Sequence, residues 1–334
     1  MTEDRLAALG IRRIPVPIPF VQAGGPVNVY LLEEEDGGLC LFDAGLGSDE
    51  ARAALDQAFE RLGRHYREVR RIIVSHGHVD HYGNAQNVVE RAGGAVPVFA
   101  HAADIDKIAE SGPRWRDRMA RYGAFFLRLG VPPEVLAALA EEGARGQRLA
   151  RRIREVRAVG EGERLRFRHF EAELLHMPGH TPGLLCLWIP EHKLFIADDH
   201  LLEKVSPNPI IELGPDGEDG FFQPLLAYLA SVRRLRDLDV ELVLPGHGPP
   251  FGGHRAVIDA LTGFYARRQA RIRELLAGGP RTPYQVVTAL FPRARPGDVF
   301  LTMSEAFANL EVLEARGEVA REERDGGILF RLAA

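Results

Sequence analysis

The stretch Ser75-His76-Gly77-His78-Val79-Asp80-His81 places three imidazoles and one carboxylate within six consecutive positions. No packing requirement asks for that density of ligand-type side chains. The run leading into it, Arg71-Ile72-Ile73-Val74-Ser75, is apolar and β-branched, as expected for a strand buried on both faces. Beyond it, Gly83 and Asn84 open a segment that reads as a helix and closes at Gly93-Gly94. The cluster therefore stands on a strand-to-helix loop, where open α/β sheets gather ligands. In a locally extended loop residues two apart point the same way, so His76 and His78 face one metal while Asp80 and His81, past a turn, face a second. Imidazole and carboxylate donors suit zinc, with manganese or iron as alternatives.

One cluster cannot complete two metal shells, and three further stretches supply donors. Met177-Pro178-Gly179-His180-Thr181-Pro182-Gly183 follows the strand-like Glu173-Leu174-Leu175, and its prolines and glycines make a stiff turn that presents His180 with little entropy left to lose. Phe195-Ile196-Ala197-Asp198-Asp199-His200 puts two carboxylates at the end of another apolar run, and Leu242-Val243-Leu244-Pro245-Gly246-His247-Gly248 repeats the order of strand, turn and histidine.

Together these motifs resemble the metallo-β-lactamase superfamily, over roughly residues 11–254, and Leu41-Phe42-Asp43-Ala44-Gly45 is similar to the family's early strand and Asp-containing turn. The resemblance implies an α/β fold, a four-layer αβ/βα sandwich, and a hydrolase that uses two zinc ions. Carried over residue by residue, His76, His78 and His180 would hold one metal and Asp80, His81 and His247 the other, with Asp199 bridging and Asp43 orienting a ligand from behind. The family usually has Gly directly before the bridging Asp, whereas this chain has Asp198. Either carboxylate is a candidate for the bridge, and the following His200-Leu201-Leu202 favours Asp199. Ser75 stands where the family often has Thr and keeps the hydroxyl.

The rest of the chain sets limits on function. With 334 residues, 46 % of them apolar, it can bury a full core and form one large domain or one large and one small. No apolar stretch of the length of a signal-peptide core follows the charged Met1–Arg5 stretch, and no uninterrupted apolar run approaches the ~20 residues of a membrane helix. The expected location is cytoplasmic. Cys40 and Cys186, each flanked by leucines on strand-like runs, read as core thiols rather than a bridge. A net charge of −5 argues against a whole-protein polyanion binder. His65, His101, His169, His192 and His254 lie in polar or turn-like settings without a partner motif and are assigned no role. His176 reads as a packed strand residue that could donate a hydrogen bond near the turn, and His200 as a possible support for a ligand.

Between about 103 and 157 the chain turns helical. Trp115, Met119, Tyr122, Phe126 and Leu129 form a stripe of helical period, and Pro132-Pro133 starts a second helix through Leu136, Leu139 and Ala140. The simple reading is two helices packed on the sheet; the functional one is a lid over the metals, by analogy with the family. From residue 255 a further unit is expected: a long helix over about 256–276, a helix opened by the capping box Thr282-Pro283-Tyr284-Gln285, another opened by Thr302-Met303-Ser304-Glu305 and stopped at Gly317, and a hairpin around Asp325-Gly326-Gly327. Helix, helix, hairpin resembles a small winged-helix module. The domains are thus expected at 1–254, catalytic with the 103–157 insertion, and 255–334, winged-helix-like.

The expected chemistry is hydrolysis of a small acyl substrate such as a thioester, ester or lactone, with Asp80 as the catalytic carboxylate. A nucleophilic serine is excluded by the lack of any Gly-x-Ser-x-Gly pattern. The tail suggests an alternative, a phosphodiesterase or endoribonuclease acting on single-stranded RNA. The segment from Arg255 onward, however, has 12 basic against 10 acidic residues, little bias for a nucleic-acid surface. An antibiotic hydrolase and a non-catalytic binding module rank below both.

Overall fold

The computed structural model describes residues 2–20, 24–214 and 222–333. Its first half runs α1 (Thr2–Ala8), β1 (Ile11–Val16), β2 (Val27–Glu33), β3 (Leu39–Phe42), α2 (Asp49–Arg61), β4 (Val69–Ile73), α3 (Val79–Tyr82), α4 (Ala85–Arg91), β5 (Val98–Ala100), α5 (Ala102–Ile108), α6 (Trp115–Arg128), α7 (Pro133–Gln147) and β6 (Arg157–Ala158). The second half runs β7 (Arg164–Arg166), β8 (Glu171–His176), β9 (Leu185–Ile189), β10 (Leu194–Asp198), α8 (Pro224–Asp237), β11 (Leu242–Pro245), α9 (His254–Leu276), α10 (Pro283–Leu290), α11 (Val299–Ala315), β12 (Val319–Arg324) and β13 (Gly327–Leu332).

Strands β1 to β6 form one sheet in chain order, antiparallel from β1 to β3 and parallel from β3 to β6; β11-β10-β9-β8-β7 form the second. The period-two alternation of the strands explains why the sheets stack. On β2, Tyr30 and Leu32 point into the space between the sheets while Val29 and Leu31 pack outward with Leu55 and Phe59 of α2. On β9, Leu185, Leu187 and Ile189 face that same inter-sheet core, and Cys186 and Trp188 turn outward to Leu225 and Val232 of α8 and Ile258 of α9. Residues of opposite parity thus feed three cores in a helix, sheet, sheet, helix order, the four-layer sandwich expected from the sequence. Burying one such leucine contributes about 2 kcal/mol. Cys40 and Cys186 are both free and buried, as their surroundings predicted.

The helical insertion is α5, α6 and α7. Its aromatic stripe does not pack on a sheet: Tyr122, Phe125, Phe126 and Leu129 bury against Ile272, Leu276, Phe307 and Phe330 of the C-terminal elements. An amphipathic stripe specifies a buried face but not its partner, which explains the difference. The C-terminal elements in turn share cores with α6 and, through Ile258, Tyr265, Ala308 and Val312, with the second sheet. The Thr282–Gln285 capping box forms as expected. The β12–β13 hairpin also forms, with Asp325 and Gly326 both at positive φ as its tight turn demands. The helix expected to open at Thr302 instead starts at Val299. Pro296 begins a short turn that leads into it, and the Thr302 hydroxyl bonds back to the Asp298 carbonyl at 3.0 Å rather than capping.

Candidate metal centre

Four chain segments leave their strands at the same end of the sandwich. β4 leads into Ser75–His81, β8 into the Pro178–Gly183 turn, β10 into Asp199, and β11 into Gly246-His247. The backbone binds these ends together. Leu185 N–H reaches the Ser75 carbonyl at 2.9 Å, Ala44 N–H reaches the His81 carbonyl at 2.9 Å, and Asn28 N–H reaches the Gly246 carbonyl at 2.7 Å.

All seven residues predicted as ligands come together, in two groups. In the first, His78 Nδ1 lies 2.9 Å from both His76 Nε2 and His180 Nε2, and Asp199 Oδ2 stands 3.4 Å from His180 Nε2. In the second, His247 Nε2 is 3.5 Å from Asp80 Oδ2, and His81 Nε2 is 3.9 Å from that same oxygen. Asp199 faces both groups: Oδ2 also lies 3.5 Å from His81 Nε2, and Oδ1 lies 3.5 Å from His247 Nε2. Asp198 takes a different place. Its Oδ1 sits behind the rings, 3.3 Å from the Nδ1 atoms of His76 and His81, and accepts the Asp199 N–H at 2.9 Å. Asp198 has φ +48°, which accounts physically for the family's preference for glycine there.

The rear of the site fixes the rings. His81 Nδ1 donates to Asp43 Oδ2 at 2.8 Å, and Asp43 also receives the Ser75 N–H and hydroxyl at 2.7 and 2.8 Å. His76 Nδ1 is 2.9 Å from the Ser75 hydroxyl, and His180 Nδ1 is 2.8 Å from the Asn208 carbonyl. A ring whose rear nitrogen donates its proton presents a bare lone pair in front.

Electrostatics separate the two groups. Burial, reinforced by the neighbouring imidazoles, holds His78 well below its ordinary range; burial also takes His180 down to about 4, against the pull of Asp199. Both rings are held in the neutral form at pH 7, and His180, whose Nδ1 faces the Asn208 carbonyl, presents Nε2 to the group as an acceptor. In the second group burial works the same way but is outweighed: Asp199 and Asp80 raise His247 to about 10, and Asp198, Asp199 and Asp80 raise His81. That pocket is built around positive charge. His81 Nε2 and Asp199 Oδ1 are buried and find no hydrogen-bond partner among the described residues, which a cation would relieve. Donors around a tetrahedral zinc with bonds near 2.1 Å stand about 3.4 Å apart. The separations given above bracket that spacing, so the residues fit a pair of divalent cations.

Three supports were not found from the sequence. Asn28 Nδ2 donates to the Pro245 and Gly248 carbonyls, both at 2.8 Å, and the Tyr30 hydroxyl reaches Pro245 at 2.7 Å, which fixes the turn carrying His247. A lone Asn between two valines was a usable signal. Asp104, fully buried, bonds to two of the metal loops, and no motif marks it. Of the remaining histidines, His176 Nε2 lies 2.7 Å from the Pro182 carbonyl and its ring stacks on His101. His200 is buried beside Tyr228 with neither ring nitrogen bonded among the described residues, so it supports no ligand.

The chain as a whole is similar to known proteins of one family. Residues 23–247 match the Metallo-beta-lactamase superfamily. The chain is 30 % identical to the "Probable metallo-hydrolase YqjP" of Bacillus subtilis (strain 168), over 99 % of its own length and 98 % of that protein. It is 27 % identical to the "Acyl-coenzyme A thioesterase MBLAC2" of Gallus gallus over 71 % of the chain and 77 % of that protein. Among solved structures, the metallo-beta-lactamase family protein TTHA1429 of Thermus thermophilus superposes with a TM-score of 0.80 at 28 % identity, covering 97 % of this chain and 98 % of that one. With its ligand-type residues gathered on that fold, this chain belongs to the metallo-beta-lactamase superfamily and is a metallo-hydrolase.

Proposed function

We propose that the chain is a dinuclear zinc hydrolase that cleaves a small acyl substrate, a thioester, ester or lactone, in the cytoplasm. The observation that carries this reading is Asp199, whose two oxygens face the two groups of imidazoles, so that one carboxylate can join two cations. When bound, the cations supply Lewis-acid polarisation of the substrate carbonyl and a water acidified toward neutrality. The chain's own residues do the rest. Burial would raise the Asp80 carboxyl, but His81 and His247 hold it below the usual range. It therefore stays an anion that can only accept hydrogen bonds, suited to orienting the attacking water. Water adds to the acyl carbon, the bond to sulfur or oxygen breaks, and the leaving group departs as thiol or alcohol.

The acyl class is supported by the relative named as an acyl-coenzyme A thioesterase. The RNA alternative draws little from the tail: of the arginines clustered on α9, Arg268, Arg271 and Arg273 are already paired with Glu305, Glu274 and Glu318. Among the described residues no helix is long and apolar enough to cross a membrane. The insertion serves as a lid in this proposal; Trp115→Ala should change KM with metal content intact, and an unchanged KM would remove that role.

The test is a hydrolysis panel on zinc-loaded protein with acyl-glutathione and acyl-coenzyme A thioesters, lactones, aryl phosphodiesters and short single-stranded RNA, run beside Asp80→Ala. Thioester or ester turnover that is lost in the variant and on chelation supports the proposal. Turnover confined to RNA or phosphodiesters, or retained by Asp80→Ala, overturns it.

A further inference from the structure

Outside the ligand motifs, one buried carboxylate touches two of the loops that carry them. Asp104, in the first turn of α5, has no exposed surface. Its Oδ2 accepts the Gly77 N–H at 2.9 Å and the Thr181 hydroxyl at 2.7 Å, and its Oδ1 accepts the Gly183 N–H at 3.2 Å. Gly77 lies between His76 and His78, and Thr181 follows His180, so these three bonds reach both loops of the first group of imidazoles. None reaches Asp80, His81 or His247.

The glycines allow this approach. A Cβ on Gly183 would stand 2.8 Å from Asp104 Cγ, and one on Gly77 would stand 2.8 Å from Lys107 Cδ. Neither glycine has a positive φ, so the requirement is for space rather than for an unusual backbone. Lys107, one turn along α5, lies 3.5 Å from Asp104 Oδ1 and pairs with Glu212, which also accepts the Tyr122 hydroxyl at 3.2 Å. Burial would raise the Asp104 carboxyl, but Lys107 and the bonds to Thr181 and Gly77 hold it below its ordinary range. It is thus a charged acceptor, and charge-assisted bonds of this kind are about twice as strong as neutral ones.

We propose that Asp104 is a positioning residue for the pocket of His76, His78 and His180, holding the two loops in register so that the three imidazoles converge. The inference rests on the dinuclear reading above. It also gives the helical insertion a part in metal binding, because α5 carries the clamp and the Lys107–Glu212–Tyr122 chain ties it to α6.

The experiment is zinc titration of the metal-stripped full chain against a chromophoric chelator, for wild type, Asp104→Asn and Thr181→Val, and for Asp104→Asn combined with His78→Ala, which leaves only the second pocket intact. Asp104→Asn should weaken one of two zinc equivalents by about tenfold to a hundredfold, as loss of a supporting carboxylate does. Thr181→Val should weaken the same equivalent by less. In the His78→Ala background, adding Asp104→Asn should change the remaining affinity by less than about threefold, as expected for independent sites. A merely structural role would lower both equivalents together with the melting temperature. Should Asp104→Asn fail to fold, Thr181→Val carries the test alone. Unchanged zinc affinity in the variants, or equal weakening of both pockets, overturns the clamp and leaves the hydrolase proposal standing. A wild type that takes up no zinc overturns both.

Discussion

Gly246→Ala tests the site with a single methyl group. A Cβ at this position would stand 2.3 Å from Asp199 Oδ1, 3.0 Å from the Asp198 carbonyl carbon and 3.1 Å from the Asp199 nitrogen. Normal carbon contacts are about 3.5 Å, so the carboxylate oxygen or the turn must move by about 1 Å. Neither can do so freely. The other Asp199 oxygen stands 3.4–4.0 Å from three imidazoles, its backbone N–H is held by Asp198, and the Gly246 carbonyl is tied to Asn28. A displacement of that size in catalytic geometry costs about a hundredfold in rate, while the overpacking costs about 1–3 kcal/mol of stability. The expected result is a fold that melts somewhat lower, binds at least one zinc more weakly and turns substrate over about a hundredfold more slowly. Gly248→Ala is the control. Gly248 has φ +82° and nothing within 4 Å of its would-be Cβ, so alanine there costs only the left-handed strain of about 1–2 kcal/mol and spares the metals. The assays are steady-state hydrolysis, zinc titration and thermal melting. Wild-type zinc binding and turnover in Gly246→Ala would refute the placement of Asp199.

Asp43→Asn alters the carboxyl group that accepts from Ser75 and faces His81 Nδ1 and should weaken zinc in the second pocket by about tenfold to a hundredfold; titration with unaltered affinity would show that the rear hydrogen bonds are dispensable. In metal-free protein, His247 titrates at about 10 when folded against about 6.5 unfolded. The folded form thus holds the proton more tightly, so this stabilisation is complete below about pH 6.5 and is lost as pH rises through 10, at about 1 kcal/mol per pH unit. Urea unfolding at pH 6.5 and 9.5 should show the loss, and Asp199→Asn should reduce it; equal stability at both values in wild type would contradict the assignment. Leu187→Ala, in the core between the sheets, should cost about 2–5 kcal/mol in equilibrium unfolding, and a loss below about 1 kcal/mol would place that side chain outside a packed core.

How much of this was legible in the sequence depended on distance along the chain. His76, His78, Asp80 and His81 lie within one loop, and their pattern of ligand types is visible without a structure. Strands such as those around 71–75, 195–198 and 242–245 were readable as short apolar runs, but Leu185–Ile189 is apolar throughout, and only the fold shows that Leu185, Leu187 and Ile189 face the core between the sheets while Cys186 and Trp188 face the helices. Asp104 and Asn28 were harder, since each acts on loops far away in the chain: the flanking valines mark Asn28 as unusual, but nothing next to it names the turn after Pro245 as its partner. Asp198 and Asp199 could not be told apart by residue type. The backbone places them differently: Asp198, in the left-handed region, has its carboxylate beside the Nδ1 atoms of His76 and His81, and Asp199 has its own between the Nε2 atoms of His180 and His247. For α6 the stripe from Trp115 to Leu129 identified the buried face, but only the folded chain identified Phe307 and Phe330 as what it meets.

The central claim is that His76, His78 and His180 on one side and Asp80, His81 and His247 on the other hold two metal ions joined by Asp199. Its most direct test is a crystal of zinc-loaded protein measured at the zinc absorption edge. The account predicts two anomalous peaks about 3.5–4 Å apart, one in each pocket, with Asp199 within bonding distance of both. A single peak, or zinc bound elsewhere while these side chains keep their places, would contradict it.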